Sequence, residues 1–208
     1  NPDAYDRMAR ARATIAVALS GFATAEPILY AGVTAFTGGH APRPLQAAVD
    51  TAAAASTLPD LTIIEDQTGA GKTEAALALC HALLSRGRAR GIFFALPTMA
   101  TSNALHGRLA TAAPSLLRDG AVGLIHGRAR QWLSEMAPAG LLETTDVPAT
   151  PRAMSDWMAS ETRRGLLSDI AAGTIDQAMS SVLRVKHHAL RQHALRDKVL
   201  VIDEVHEA

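Results

Sequence analysis

Cysteine occurs once in these 208 residues, at Cys80. That excludes an internal disulfide and a cysteine-built metal site, and makes a reducing compartment, the cytoplasm, the natural one. Aromatic residues are scarce at 4%, so the core has to be made of aliphatic side chains and closely packed, alanine-rich helices. Charge of either sign is not in excess, with 20 basic against 20 acidic residues, which rules out a histone-like or arm-like polypeptide held to nucleic acid by bulk charge. No apolar run approaches the ~18 residues that a membrane span requires. The start, Asn1 to Arg12, is polar and of mixed charge, without a secretory pattern. A soluble protein with no membrane partner is expected.

What is present is a globular composition, 48% hydrophobic and 19% charged, able to bury a core. The length suits one domain with at most a small appendage. Arginine outnumbers lysine 17 to 3, which fits phosphate recognition and, more simply, a GC-rich coding sequence.

Along the chain, the first 25 or so residues read as a helix (Ile15, Val17, Leu19, Phe22) leading into a Gly/Pro-rich loop at Thr37 to Pro44. Residues 1–40 are therefore expected to be an N-terminal helix and connector, and 41–208 the main domain. Gln46 to Ser56 is helical, stopped by Pro59; from Leu61 the pattern alternates between strand and helix. Leu61 to Glu65 reads as a buried strand, Glu74 to Arg86 as a helix ended by Gly87, and Gly91 to Leu96 as a second strand. Thr98 to Ala112 follows as a helix and Ala121 to Ile125 as a third strand. Pro138 to Pro151 is a loop or insertion, Arg163 to Ile170 has helical character, Asp176 to Leu195 holds one or two helices, and Val199 to Asp203 is a strand ending in acids. Strands separated by helices imply an α/β fold with a mostly parallel sheet covered on both faces, its ligand site at the carboxyl ends of the strands.

Thr68-Gly69-Ala70-Gly71-Lys72-Thr73 stands between the first strand and the helix from Glu74, the context of a phosphate-binding loop. Glycines let successive backbone N–H groups converge on an anion, and the helix N-terminus adds positive potential there. Lys72 would bring a full charge to the β and γ phosphates of ATP, and the Thr73 hydroxyl would ligate Mg2+. The pattern departs from the strict one at Asp66, where glycine is usual; an acid beside phosphates is unfavourable unless its side chain turns away or pairs with a base.

Val199-Leu200-Val201-Ile202-Asp203-Glu204-Val205-His206 is the second signal. An apolar strand ending in two acids is common by itself. Joined to the lysine loop, it makes Asp203 the candidate Mg2+ holder, Glu204 the candidate base for an attacking water, and His206 a candidate sensor of the γ phosphate. Together the two motifs point to nucleotide hydrolysis.

Asp203-Glu204-Val205-His206 resembles the second motif of superfamily 2 helicases, and Thr68 to Thr73 their first. The resemblance narrows to the CRISPR-associated helicase/nuclease of type I interference systems through four stretches: Arg43-Pro44-Leu45-Gln46, Leu96 to Asn103, Gly173-Thr174-Ile175-Asp176-Gln177-Ala178, and Lys186-His187-His188 with Leu190-Arg191. It covers about Arg43 to the last residue. It implies a RecA-like fold, a DNA translocase activity driven by ATP and Mg2+, and recruitment by the Cascade surveillance complex. It also implies that Gln46 reads adenine. The single-stranded DNA backbone would be held by Pro97, Thr98, Ala100, Thr101, Ser102 and Asn103, and by Gly173, Thr174 and Gln177.

Read without the resemblance, Pro97-Thr98 is simply a good helix start, Thr174 a helix cap and Gln46 an ordinary helix-start residue. The basic run Arg184 to Lys198 suits both extra phosphate contacts and a solvated helix face. The histidine pair at 187 and 188 points to different helix faces, against a metal site there.

In the family, a strand bearing a Ser-Ala-Thr-like element follows the acidic motif and inserts between the phosphate-loop strand and the acidic strand, a second RecA-like domain completes the ATP site, and a histidine-aspartate domain supplies the nuclease. None of these stands in the 208 residues, and no His-Asp doublet occurs. The expectation is a part of the first motor domain, without nuclease metals and weak as an ATPase by itself. Alternatives with the same lysine loop are another superfamily 2 motor, a phosphate-loop kinase or transferase, and a non-catalytic interaction fragment in which the loop is a relic, the reading that Asp66 favours.

Overall fold

The computed structural model describes residues 25–55, 58–129, 164–183 and 188–204. The expected N-terminal helix, the Pro138 to Pro151 loop, the basic residues Arg184 and Lys186 with His187, and His206 lie outside the described residues.

The elements in chain order are β1 (Glu26–Pro27), a 3-10 turn (Val33–Phe36), α1 (Pro44–Ala54), α2 (Lys72–Ser85), β2 (Gly91–Leu96), α3 (Met99–Leu116), β3 (Leu117–Arg118) and β4 (Val122–Ile125). A second 3-10 turn (Arg164–Leu167) then leads to β5 (Ile170–Thr174), α4 (Ile175–Met179), α5 (His188–Leu195) and β6 (Lys198–Ile202). Four strands form one all-parallel sheet in the order β4-β5-β2-β6, the α/β arrangement that the alternating pattern requires. β1 and β3 add a two-residue antiparallel pair.

β2 is the spine, buried at all six positions. Successive side chains of a strand point to opposite faces, and here they serve two cores. Phe93 packs with Ile125, Leu166 and Ala171 on one face; Phe94 packs with Leu77, Leu84, Leu109 and Leu116 on the other. With few aromatics, close approach replaces bulk. At Gly173 of β5, an added Cβ would stand 2.6 Å from the Ile125 carbonyl oxygen and 3.0 Å from the Phe93 ring, so packing alone demands glycine there.

Residues 25–36 are pinned onto the helices by polar groups. The Asp50 carboxylate of α1 accepts from the Tyr30 hydroxyl and from the Val33 N–H. His81 of α2 is fully buried, with its Nε2 3.1 Å from the Ile28 carbonyl oxygen and the Tyr30 and Phe36 rings edge-on to it.

The structure differs from the sequence reading in three places. Leu61 to Glu65 is not a strand: Leu61 and Ile63 are 78% and 82% exposed. A strand is a property of a pair, and the nearest sheet edge, β6, lines a cavity of about 730 Å³ whose lining also includes Leu61 to Asp66. With no strand edge within hydrogen-bonding reach, the apolar segment stays irregular. Arg163 to Ile170 is not one helix either. Among its described residues, Arg164–Leu167 is a short 3-10 turn and Ile170 opens the strand Ile170–Thr174, buried throughout. Its Ile-Ala-Ala-Gly sequence carries little β preference, so burial between β4 and β2 decides its state. Finally, α3 runs on to Leu116 through Pro114.

Among the described residues no helix is long and apolar enough to cross a membrane.

Candidate functional site

The turn before α2 owes its shape to glycine. Gly69 and Gly71 have φ of +83° and +87°, a region that side chains with a Cβ rarely enter. Gly71 caps α2 in the left-handed conformation, and the helix starts at Lys72 with its N-terminal N–H groups facing the loop. Lys72 bends over this loop, its Nζ donating to the Asp66 and Gln67 carbonyl oxygens at 2.7 and 3.4 Å. These are the partners a loop lysine finds when no anion competes for it.

Asp66 is exposed, and its Oδ1 accepts the Gln67 N–H at 2.7 Å. The acid is turned into its own backbone turn, one of the two conditions under which an acid is tolerated at that position.

Behind the loop lies Gln46, buried on the first turn of α1. Its Oε1 accepts the Arg43 N–H at 2.9 Å, and its Nε2 donates to the Gly71 carbonyl oxygen at 3.4 Å. Both ends of the amide are engaged with backbone rather than held open toward a base.

The acids arrive from the far end of the sheet. β6 pairs with β2, and the ladder continues past it as the Asp203 N–H donates to the Ala95 carbonyl oxygen at 3.0 Å. Glu204 follows at φ +53°, its N–H on the Asp203 Oδ1 at 3.1 Å. Lys72, Thr73, Asp203 and Glu204 all line the 730 Å³ cavity. Two motifs 130 residues apart in sequence therefore share one space, in which a basic loop faces a pair of acids.

Arg108 was invisible to sequence reading. From α3, it donates to the Glu74 carboxylate at 2.5 Å and to the Thr73 Oγ1 at 3.5 Å. No local pattern marks a partner 34 residues away.

The second group of candidate residues sits beside the first. β2 and β5 end in register, Leu96 opposite Thr174, which places the Pro97 to Asn103 and Gly173 to Gln177 stretches side by side at the carboxyl edge of the sheet. Thr98 caps α3, its Oγ1 accepting the Thr101 N–H at 3.1 Å. Thr98, Ala100 and Thr101 are exposed, Pro97 and Asn103 half-buried. Ser102 is fully buried and donates to the Thr98 carbonyl oxygen at 2.8 Å, so its hydroxyl faces the helix start rather than solvent. Thr174 is buried, and the Gln177 Oε1 accepts from Arg191 of α5 at 2.6 Å.

The basic run does not form one surface. Lys198 turns to the opposite end of the sheet, where its ammonium donates to the Leu166 carbonyl oxygen at 2.6 Å and to that of Ser168. Burial lowers it to about 8, against the pull of Asp169; burial in turn raises Asp169 to about 6. Cys80, on the loop helix α2, is buried and pushed up to about 12 by desolvation, far from a reactive thiolate. Among the described residues no group of three His, Cys, Asp or Glu side chains is placed to hold a metal. A cation here would need a phosphate to complete its ligands, as Mg2+ commonly does.

No protein-family model matches the chain. It is 37% identical over 180 residues to the CRISPR-associated endonuclease/helicase Cas3 of Escherichia coli (strain K12), an alignment covering 85% of this chain and 20% of that protein. It is 33% identical over 174 residues to the CRISPR-associated nuclease/helicase Cas3 of Streptococcus thermophilus, covering 81% and 19%. The crystal structure of T. fusca Cas3-ATP superposes with a TM-score of 0.67 at 38% identity, covering 88% of this chain and 20% of that one. The chain spans about a fifth of the length of the curated relatives it matches.

Proposed function

We propose that this chain, homologous to one fifth of the Cas3 helicase/nuclease in both sequence and fold, is the nucleotide-binding part of a motor that moves along single-stranded DNA at the expense of ATP. The single observation that carries the reading is the shared cavity: Lys72 and Thr73 on the helix start, Asp203 and Glu204 on the strand end.

The residues fit an ATP-Mg2+ group by their donor set. The loop glycines let backbone N–H groups converge on phosphate, and Lys72 exchanges two neutral carbonyl partners for an anion. Thr73 and Asp203 would supply oxygen ligands for Mg2+, whose charge would offset the negative charge developing on the phosphates. Glu204 orients and deprotonates the attacking water. Gln46 acts from behind, fixing the Gly71 carbonyl and meeting adenine only if its amide swings free. Thr98, Ala100, Thr101 and Asn103, with the 173–177 turn, hold the DNA backbone without regard to sequence, through N–H, hydroxyl and amide donors. In the whole protein, a second RecA-like domain, a histidine-aspartate nuclease and the Cascade complex are the partners of this segment.

The test is thermal. ATP-Mg2+ at 100 times its dissociation constant should stabilise the fold by ~2.7 kcal/mol, and Lys72→Ala should remove that gain while leaving the ligand-free melting temperature nearly unchanged. No ligand-dependent shift in the unsubstituted chain, at any nucleotide concentration up to millimolar, would sink the reading.

A further inference from the structure

Beside the proposed DNA-binding edge, a buried histidine meets one of its residues. His126 follows β4, is 1% exposed, and has both ring nitrogens engaged. Its Nδ1 accepts the Arg128 N–H at 3.2 Å, and its Nε2 stands 2.7 Å from the Asn103 Oδ1 of α3. A backbone N–H can only donate, so Nδ1 must be the bare nitrogen. The ring is neutral, Nε2 carries the hydrogen, and the atom opposite it must be an acceptor. Burial, which lowers the imidazole's proton affinity, keeps it so.

The consequence falls on the Asn103 amide, whose two ends are otherwise interchangeable. With Oδ1 turned inward to His126, the Nδ2H2 group is turned outward, and among the described residues it has no partner. We infer that His126 is a positioning residue that fixes the Asn103 amide with its NH2 group facing out as a hydrogen-bond donor for a DNA phosphate oxygen. The inference rests on the DNA-binding reading above and names what sets its polarity at this position. A freely rotating amide would present its oxygen half the time, and an amide oxygen repels phosphate.

Two substitutions separate this role from a merely structural one, because each keeps one nitrogen's function. In His126→Gln, the side-chain NH2 lies three bonds from Cβ, as Nε2 does, and can still donate to Asn103. In His126→Asn, the oxygen lies two bonds from Cβ, as Nδ1 does, and can still accept from Arg128 but cannot reach Asn103. Binding of a fluorescein-labelled oligo-dT strand to the chain, measured at fixed salt, should weaken about tenfold in Asn103→Ala, the cost of losing a donor to a charged group. His126→Asn should weaken severalfold, and His126→Gln should stay within about twofold of the unsubstituted chain. In 15N NMR, which reads millimolar binding as well, the Asn103 side-chain NH2 resonances should move as oligo-dT is added. Equal losses in the two His126 variants, a larger loss in His126→Gln, or an Asn103 NH2 pair that stays still while backbone amides at 97–103 shift would each overturn the inference and leave the DNA-binding reading standing. No shift anywhere in 97–103 and 173–177 would overturn both.

Discussion

The Gln46 amide nitrogen lies 3.4 Å from the Gly71 carbonyl oxygen, and a Cβ added at Gly71 would stand 2.1 Å from that same nitrogen. Glycine at this position thus meets two demands at once: a left-handed backbone at φ +87° and contact with a buried amide. Gly71→Ala should cost about 1–2 kcal/mol for the backbone conformation alone and displace Gln46. Loss of ATP-dependent thermal protection is expected with it. Adding Gln46→Ala should relieve the clash but not the backbone strain, so urea unfolding of the double variant should recover only part of the stability.

Gly173 makes a different demand, since its close neighbours are the Ile125 carbonyl and the Phe93 ring in the middle of the sheet. Gly173→Ala should destabilise the fold by about 1–3 kcal/mol through overpacking, visible as a lower urea midpoint with an unchanged slope. A stability equal to that of the unsubstituted chain would show that β4 and β5 are not held this closely.

At the start of α3, Thr98 accepts the Thr101 N–H. Thr98→Ala should cost ~1 kcal/mol and Thr98→Ser much less, because serine keeps the capping oxygen. Equal losses in chemical denaturation would mean that the cap contributes nothing.

Asp169 supplies a dependence on pH. Burial raises its carboxyl from the ordinary 3.8 to about 6, so between those values the folded chain holds a proton that the unfolded chain has released. Its contribution is fully present below about pH 4 and is lost as pH rises through 6. Asp169→Asn, which keeps an oxygen for the Ala121 N–H, should therefore gain on the unsubstituted chain across this window, by roughly 3 kcal/mol at most. Parallel stability curves from pH 4 to 6 would contradict it.

What the sequence disclosed, and what it concealed, divides along physical lines. That Lys72, Thr73, Asp203 and Glu204 belong to one candidate site was legible in local patterns, glycines before a helix and aliphatics before acids, and the four line one cavity. The strand Gly91–Leu96 and the helix through Leu77 and Leu84 were legible by periodicity. Arg108 was not, and His126 was marked only by its family-like His-Gly pair with Gly127, since the partner of each, Glu74 or Asn103, is met only across the fold. The Leu61 to Glu65 segment failed in the opposite sense: its apolar character was read correctly, but no residue in it records whether a neighbouring strand is there to pair with. Ile170–Thr174 shows the reverse, a weak local preference overridden by strands on both sides.

One side of β6 is open among the described residues. Among the described residues β6 pairs only with β2, and Leu200 and Ile202 beside that edge are 49% and 46% exposed. A row of unsatisfied backbone donors and acceptors flanked by aliphatic side chains is adhesive toward other strands. Concentrated samples should self-associate along this edge, with sedimentation velocity showing species that grow with concentration. A single charge placed on the edge, Leu200→Lys, should keep the chain monomeric.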